Sequence, residues 1–334
     1  MPSATLALMK KRFVFARETE PGTDWLTRFN AGRAETERWY RGEGLADPPS
    51  AAACRTALDQ HMPELLTPYD KACALLGDDD LAQRILSHYR PPPLMTGCSQ
   101  AVWLGDGGPA LVRNYDFPLD TVSDRFETTA WFGREVIGKA QRPWGGCLDG
   151  INADGLVASL TFGGGQDQGQ GFSIILILRY VLETCCSVDE AAAALCRIPV
   201  ALTQNVTLLD AAGDHATVYV GPTRTPAVTK DRLCTNHQEE VTWPEDAARS
   251  QTAERHAHLA ALLDDPAMTL DNLAGRFLKP PLYSRRAVFP TAYTAVYRPA
   301  ERRVDYLWPG KTISQTIGGF APTDYSHDFG ELAQ

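Results

Sequence analysis

Three consecutive prolines, Pro91, Pro92 and Pro93, constrain this chain more than any other feature. None carries a backbone N–H, so a helix that reaches them has to stop. Before them the sequence reads as helical, with no obvious strand. Residues 48–62 hold Ala51, Ala52, Ala53, Ala57 and Leu58, and residues 63–76 place Leu65, Leu66, Ala72, Leu75 and Leu76 near helical spacing. Asp78 is positioned to N-cap a third helix running to about His88. The prolines therefore mark the boundary between an α-rich leader and a different architecture.

Beyond them short strands dominate. Residues 100–104 and 110–117 flank a Gly-Asp-Gly-Gly-Pro turn and predict a hairpin. Residues 156–162 predict a strand ending in Gly163, Gly164 and Gly165. Residues 172–186 are long enough for a buried helix, and Ser187-Val188-Asp189-Glu190 has the form of a capping box opening the next one. Residues 206–209 and 216–220 form a second hairpin, 232–236 a short strand, 249–263 and 269–278 helices, and 293–297 with 304–308 a third hairpin. Antiparallel hairpins with helices between them predict an α+β fold, with helices covering stacked sheets.

Composition excludes several classes of function. With 44% hydrophobic residues in 334, the chain can bury a sizeable core. Its 41 acidic against 32 basic residues, net −9, disfavour a nucleic-acid partner. No apolar run reaches the roughly 18 residues needed to span a bilayer, and residues 172–182 are interrupted by Arg179. Thr5 to Met9 precede Lys10, Lys11 and Arg12, the reverse of a secretory signal, so a cytoplasmic location is expected. None of the eight cysteines pairs at C-x-x-C spacing, and most should be small buried hydrophobes.

The chemistry worth testing lies in the first hairpin. A loop centred near Gly107 would set Asp116 opposite Cys98 and Arg113 opposite Ala101. A guanidinium beside a thiol favours the reactive thiolate. Arg113 and Asp116 are three residues apart, however, so a regular strand points them to opposite faces, and serving one site would need a bulge or bend. By themselves these residues read first as a buried structural cysteine beside a surface Arg–Asp pair.

Thr96-Gly97-Cys98-Ser99-Gln100, followed by Leu111-Val112-Arg113-Asn114-Tyr115-Asp116-Phe117, resembles the nucleophile hairpin of the N-terminal nucleophile (Ntn) hydrolases. The resemblance is nearest to the isopenicillin N acyltransferase (acyl-coenzyme A:6-aminopenicillanic acid acyltransferase) family and more distant to choloylglycine hydrolases. Asp149-Gly150-Ile151-Asn152-Ala153-Asp154-Gly155-Leu156 and Leu233-Cys234-Thr235-Asn236-His237 continue it in order. It implies an αββα sandwich made as a precursor that cleaves itself between Gly97 and Cys98. The products would be a leader of residues 1–97 and a nucleophile chain of 98–334.

The same resemblance implies the site. Cys98 would be the nucleophile and its freed α-amine the base. Arg113 would lie beside the sulfur or contact substrate, and Asp116 would hold the amine. The Asn236 side chain and a backbone N–H near Thr161 would form the oxyanion hole. Arg285, or equally Arg286, is the candidate for a late arginine that some relatives use, and His237 could touch substrate. The substrate would be a small amide or thioester, with water, an amine or a thiol as acyl acceptor. No cofactor, nucleic acid or membrane is called for, and a homo-oligomer is allowed.

Other residues offer less. His256 and His258, at i and i+2 on one helix, diverge and do not suggest a metal site. The glycine-rich stretch 163–171 matches no phosphate-binding pattern and reads as a mobile or tight loop near the pocket. Two other readings stand beside the main one. They are an unprocessed cysteine hydrolase with His215 or His237 as base, and an inactive relative with a binding role.

Overall fold

The computed structural model describes residues 9–18, 20–42, 48–77, 79–93, 97–142 and 144–333. Ahead of the prolines, strand β1 (Lys10–Arg17) precedes helices α1 (Thr23–Gly42), α2 (Ala51–His61), α3 (Leu66–Leu76) and α4 (Asp80–Ser87). The hairpin β2 (Gly97–Trp103) and β3 (Ala110–Asp116) follows, then β4 (Arg125–Thr129), β5 (Val136–Gln141), β6 (Gly146–Asn152) and β7 (Val157–Phe162). Helices α5 (Ile174–Thr184) and α6 (Val188–Arg197) lead into β8 (Gln204–Leu209), β9 (His215–Val220), β10 (Ala227–Thr229) and β11 (Leu233–Cys234). Helices α7 (Pro244–Ser250), α8 (Thr252–Leu263) and α9 (Leu270–Phe277) precede β12 (Thr291–Arg298), β13 (Arg303–Trp308), β14 (Lys311–Thr316) and β15 (Thr323–Asp328).

The strands form two sheets. Nine run in the order β10-β9-β8-β7-β6-β5-β4-β1-β15, and six in the order β11-β2-β3-β12-β13-β14. Every pairing is antiparallel except β1 with β4. Alternation along the first hairpin shows how the layers stack. Cys98, Val102, Leu111 and Tyr115 belong to the core between the sheets, whereas Ala101, Val112 and Val296 pack with Leu259, Leu273 and Phe277 of α8 and α9. Helix α5 covers the outer face of the nine-stranded sheet against β6 and β7. The architecture is the expected αββα sandwich.

Helix α5 is buried along nearly its whole length, and no helix among the described residues is long and apolar enough to cross a membrane. Its Arg179 is satisfied internally, donating to Thr129 Oγ1 at 2.7 Å and the Gly145 carbonyl at 3.1 Å. The Ser187 cap forms with the Glu190 N–H at 3.3 Å, and the Glu190 carboxylate reaches the N–H of Cys186. Asp78 and Thr5 to Leu8 lie outside the described residues; Asp79 caps α4, accepting from the Ala82 N–H at 2.9 Å.

The region ahead of the prolines is not the purely helical segment that the sequence leads one to expect. Strand β1 is inserted in the nine-stranded sheet, parallel to β4 on one side and antiparallel to β15 on the other. Phe13 and Phe15 alternate inward and are fully buried. Phe15 stacks on Phe126 at 4.6 Å, and Phe13 meets Trp308 at 5.0 Å. The alternation Phe13-Val14-Phe15 carries a strand signal, and sheet pairing on both edges satisfies its backbone.

Candidate active site

Gly97 and Cys98 are the first two residues of β2, which pairs with β3 without a break from Gly97–Asp116 to Trp103–Ala110. Six residues, not a symmetric loop about Gly107, connect the strands. Cys98 therefore faces Tyr115, Gln100 faces Arg113, and Gly97 faces Asp116, one residue away from the sequence expectation.

This register resolves the three-residue spacing without a bulge in the hairpin. Arg113 shares the inter-sheet face with the thiol, and its Nη2 donates to Cys98 Sγ at 3.3 Å. Asp116 lies on the opposite face, under α8, beside the bond that precedes Cys98. A Cβ added to Gly97 would come within 3.0 Å of the Asp116 Cβ. The bulge is in β12, between Thr291 and Tyr293, where it aligns Thr291 with Asp116. The Thr291 hydroxyl donates to Asp116 at 2.6 Å. Both Arg113 and Asp116 are buried, which excludes a surface Arg–Asp pair. Burial raises the Asp116 pKa, partly opposed by Arg255 and Thr291.

Asn236 closes the arrangement from the end of β11. Its Oδ1 accepts from the Cys98 N–H at 2.9 Å and from Arg255 Nη2 at 2.5 Å. Two donors on that oxygen fix the amide orientation, because an NH₂ group could not accept from either. Nδ2 thereby points to the end of β7, 3.4 Å from the Phe162 carbonyl. Thr161 stands in the same strand, with its hydroxyl near Cys234 Sγ at 3.3 Å and accepting from Asn205 Nδ2 at 3.1 Å. Gly164 must be glycine: its φ is +73°, and a Cβ would sit 2.7 Å from the Asn236 carbonyl. The loop after β7 is tight at this point.

Arg255, one turn into α8, is the residue that sequence reasoning missed. It donates to the Cys98 carbonyl, to Ser99 Oγ at 2.7 Å and to the Ser250 carbonyl at 2.9 Å, and it lies 3.5 Å from Asp116. Burial lowers its pKa, with Asp116 opposing. Arg285 and Arg286, the candidates for a late arginine, are held by backbone carbonyls, and the Arg286 charge acts on Arg255. Arg285 donates to the carbonyls of Phe329 and Glu331, and Arg286 to that of Arg249. No local pattern marks Arg255 in the sequence; only the helix turn between Thr252 and Arg255 aims both at the Cys98–Asn236 junction.

His237 is half-buried, and its Nδ1 lies 2.8 Å from Thr252 Oγ1, which also accepts from the Asn236 N–H at 2.7 Å. Burial, reinforced by His256 and Arg255, pulls its pKa down to about 4. Its ring thus belongs to the scaffold behind Asn236. The His215 ring faces the carbonyls of Lys230 and Gly213, away from the hairpin's first residues.

A cavity of about 290 Å³ adjoins the site. Phe117 and Leu160, next to Asp116 and Thr161, line it together with Phe289, which borders Gly97. Trp39 and the Pro91–Pro93 segment supply another wall.

Residues 103–312 match the family model described as acyl-coenzyme A:6-aminopenicillanic acid acyl-transferase, well over half of the chain. The chain belongs to that family. It is therefore an enzyme of the amide hydrolase and acyltransferase class acting on small molecules, and the family match begins just after Cys98. Among solved structures, the chain is similar to a conjugated bile acid hydrolase from Clostridium perfringens at 13% identity and TM-score 0.45, covering 70% of this chain and 98% of that one. It is also similar to penicillin V acylase from Agrobacterium tumefaciens, at 16% identity and TM-score 0.43, covering 70% and 92%. An N-acylethanolamine-hydrolyzing acid amidase orthologue from Caenorhabditis elegans aligns at 14% identity and TM-score 0.45, over 61% and 93%. A comparison with curated protein sequences finds no match.

Proposed function

We propose that this member of the acyltransferase family is a self-activating cysteine Ntn enzyme. The observation that carries the reading is the convergence of the Cys98 N–H and Arg255 on Asn236 Oδ1. It puts the backbone nitrogen of the nucleophile and the Asn236 NH₂ group on one short path.

Activation begins when Cys98 Sγ attacks the Gly97 carbonyl carbon. A C–S bond forms, the Gly97–Cys98 C–N bond breaks, and the thiol proton ends on the released amine. Water then hydrolyses the thioester to the Gly97 carboxylate and the free thiol. The leader, residues 1–97, stays in place because β1 is paired on both edges, and the nucleophile chain becomes residues 98–334.

In turnover the α-amine of Cys98, with an ordinary pKa of about 7.7–8.0, takes the thiol proton. The sulfur adds to the substrate carbonyl, and the oxyanion is met by Asn236 Nδ2 and a backbone N–H near Thr161. Collapse breaks the C–N or C–S bond, the leaving group takes the proton from the ammonium, and water, an amine or a thiol releases the acyl group. Arg113 supports charge developing on sulfur. Asp116 and Arg255 hold the backbone around Gly97 and Cys98 from the helix side. The apolar walls of the adjoining cavity suit a small, partly apolar acyl group.

Acyl-enzyme trapping tests this reading. Protein quenched at low pH during turnover of p-nitrophenyl butyrate should carry a butyryl thioester on a peptide whose first residue is Cys98. An acyl group found on any other residue would overturn it.

A further inference from the structure

Behind Arg113 lies a buried group that the chemistry above leaves without a part. Arg113 Nη1 donates to Asp149 Oδ2 at 2.6 Å and to the Leu148 carbonyl at 3.2 Å, while Nη2 of the same guanidinium faces Cys98 Sγ. The hydroxyls of Tyr293 and Tyr297 donate to Asp149 Oδ2 and Oδ1. Both carboxylate oxygens thus act as acceptors, the bonding pattern of the ionised form. Arg113, Asp149, Tyr293 and Tyr297 are all fully buried. Burial holds both tyrosine hydroxyls well above their ordinary pKa, so they remain donors. Burial alone would lower the Arg113 pKa, but the acidic groups packed around the guanidinium outweigh it and the net shift is upward.

The charges around Cys98 come from several elements. β3 contributes Arg113 and, across its other face, Asp116; α8 contributes Arg255; β6 contributes Asp149. Tyr115 on β3, Cys234 on β11 and Cys147 on β6 are neutral groups whose ionisation burial opposes. Among the described side chains, Arg113 and Arg255 face Asp116 and Asp149, so these four balance while the sulfur holds its proton and the Cys98 α-amine is neutral. An unbalanced guanidinium at hydrogen-bond range would draw that proton off early. A thiol already ionised is a weaker driver of proton delivery to the leaving group.

We propose that Asp149 is a positioning residue for the nucleophile: it clamps the Arg113 guanidinium against Cys98 Sγ and offsets its charge, so that the sulfur ionises only as attack begins. This rests on Cys98 being the nucleophile.

The test is the pH dependence of Cys98 alkylation by iodoacetamide, read peptide by peptide by mass spectrometry in the full-length preparation. Asp149→Asn keeps the shape and removes the charge. Its alkylation curve should move to lower pH than wild type by about one unit. Tyr297→Phe keeps both charges and removes one donor that shares the carboxylate's charge, so its curve should move the opposite way, by a few tenths of a unit. A purely structural Asp149 would change stability and leave both curves where they are. Coincident curves for wild type and a folded variant, or an Asp149→Asn shift to higher pH, would overturn the proposal. If Asp149→Asn does not fold by circular dichroism, the sign of the Tyr297→Phe shift decides. A wild-type Cys98 that stays unlabelled at every pH would instead overturn the nucleophile reading, and this one with it.

Discussion

Gly97 lies directly across the β2–β3 ladder from Asp116, close enough that one added methyl group would stand 3.0 Å from the Asp116 Cβ and 3.4 Å from the Phe289 Cβ. Gly97 is thus fixed by close approach. Gly97→Ala should force β2 away from Asp116, a strain of about 1–3 kcal/mol, and slow self-cleavage by roughly one to two orders of magnitude. A time course of intact mass after expression measures this. Cleavage at the wild-type rate would show that the contact does not matter.

The Asn236 amide orientation gives a second expectation. Asn236→Ala removes the acceptor for the Cys98 N–H and the donor facing the end of β7. Turnover of p-nitrophenyl butyrate should fall by about 10²–10³, the usual cost of one oxyanion-hole donor. An unchanged rate would remove Asn236 from the mechanism.

How much of this site the sequence reveals depends on whether its geometry is local. The Cys98–Asp116 hairpin is legible because a turn and two alternating strands bring those residues together within twenty positions. Its register is off by one because the loop is even in length, with Gly107 and Gly108 both in left-handed conformation at φ +88° and +85°. Asn236 is legible only through resemblance. Arg255 is not legible at all: it reaches Cys98 across more than 150 residues, from a helix whose pattern announces only an amphipathic face. Arg285 and Arg286 are candidates only by their place in the chain, and the C-terminal residues take up the Arg285 side chain. β1 is hard to read because the helical run after it dominates the first ninety residues, although Phe13 and Phe15 carry the alternation.

Because β1 lies ahead of Gly97 yet supplies the core between the sheets, Phe15→Ala should destabilise the whole molecule by about 3–5 kcal/mol. Loss should appear as one cooperative denaturant transition shifted to lower midpoint, with the two cleaved chains separating only there. A leader that dissociates in native buffer would contradict the sheet pairing.

His88, ahead of the proline stop, contributes to the loss of stability in acid. Burial pulls its pKa down to about 4, opposed in part by the Trp144 carbonyl. Below pH 6.5 the unfolded chain takes up a proton that the folded one resists. The contribution is therefore complete above that pH and lost as pH falls toward 4. His88→Gln should lose about 2 kcal/mol less stability than wild type between pH 7 and pH 5. Parallel losses measured by denaturant titration at both pH values would argue against a neutral, buried His88.

The central claim is that the chain is cut by its own nucleophile at Gly97–Cys98. Intact mass of purified wild type beside Cys98→Ala tests it most directly. The account predicts two wild-type chains, residues 1–97 and 98–334, and one uncut chain of 334 residues for the variant. A wild type that remains one chain, or a Cys98→Ala variant that is cut at the same bond, would contradict it.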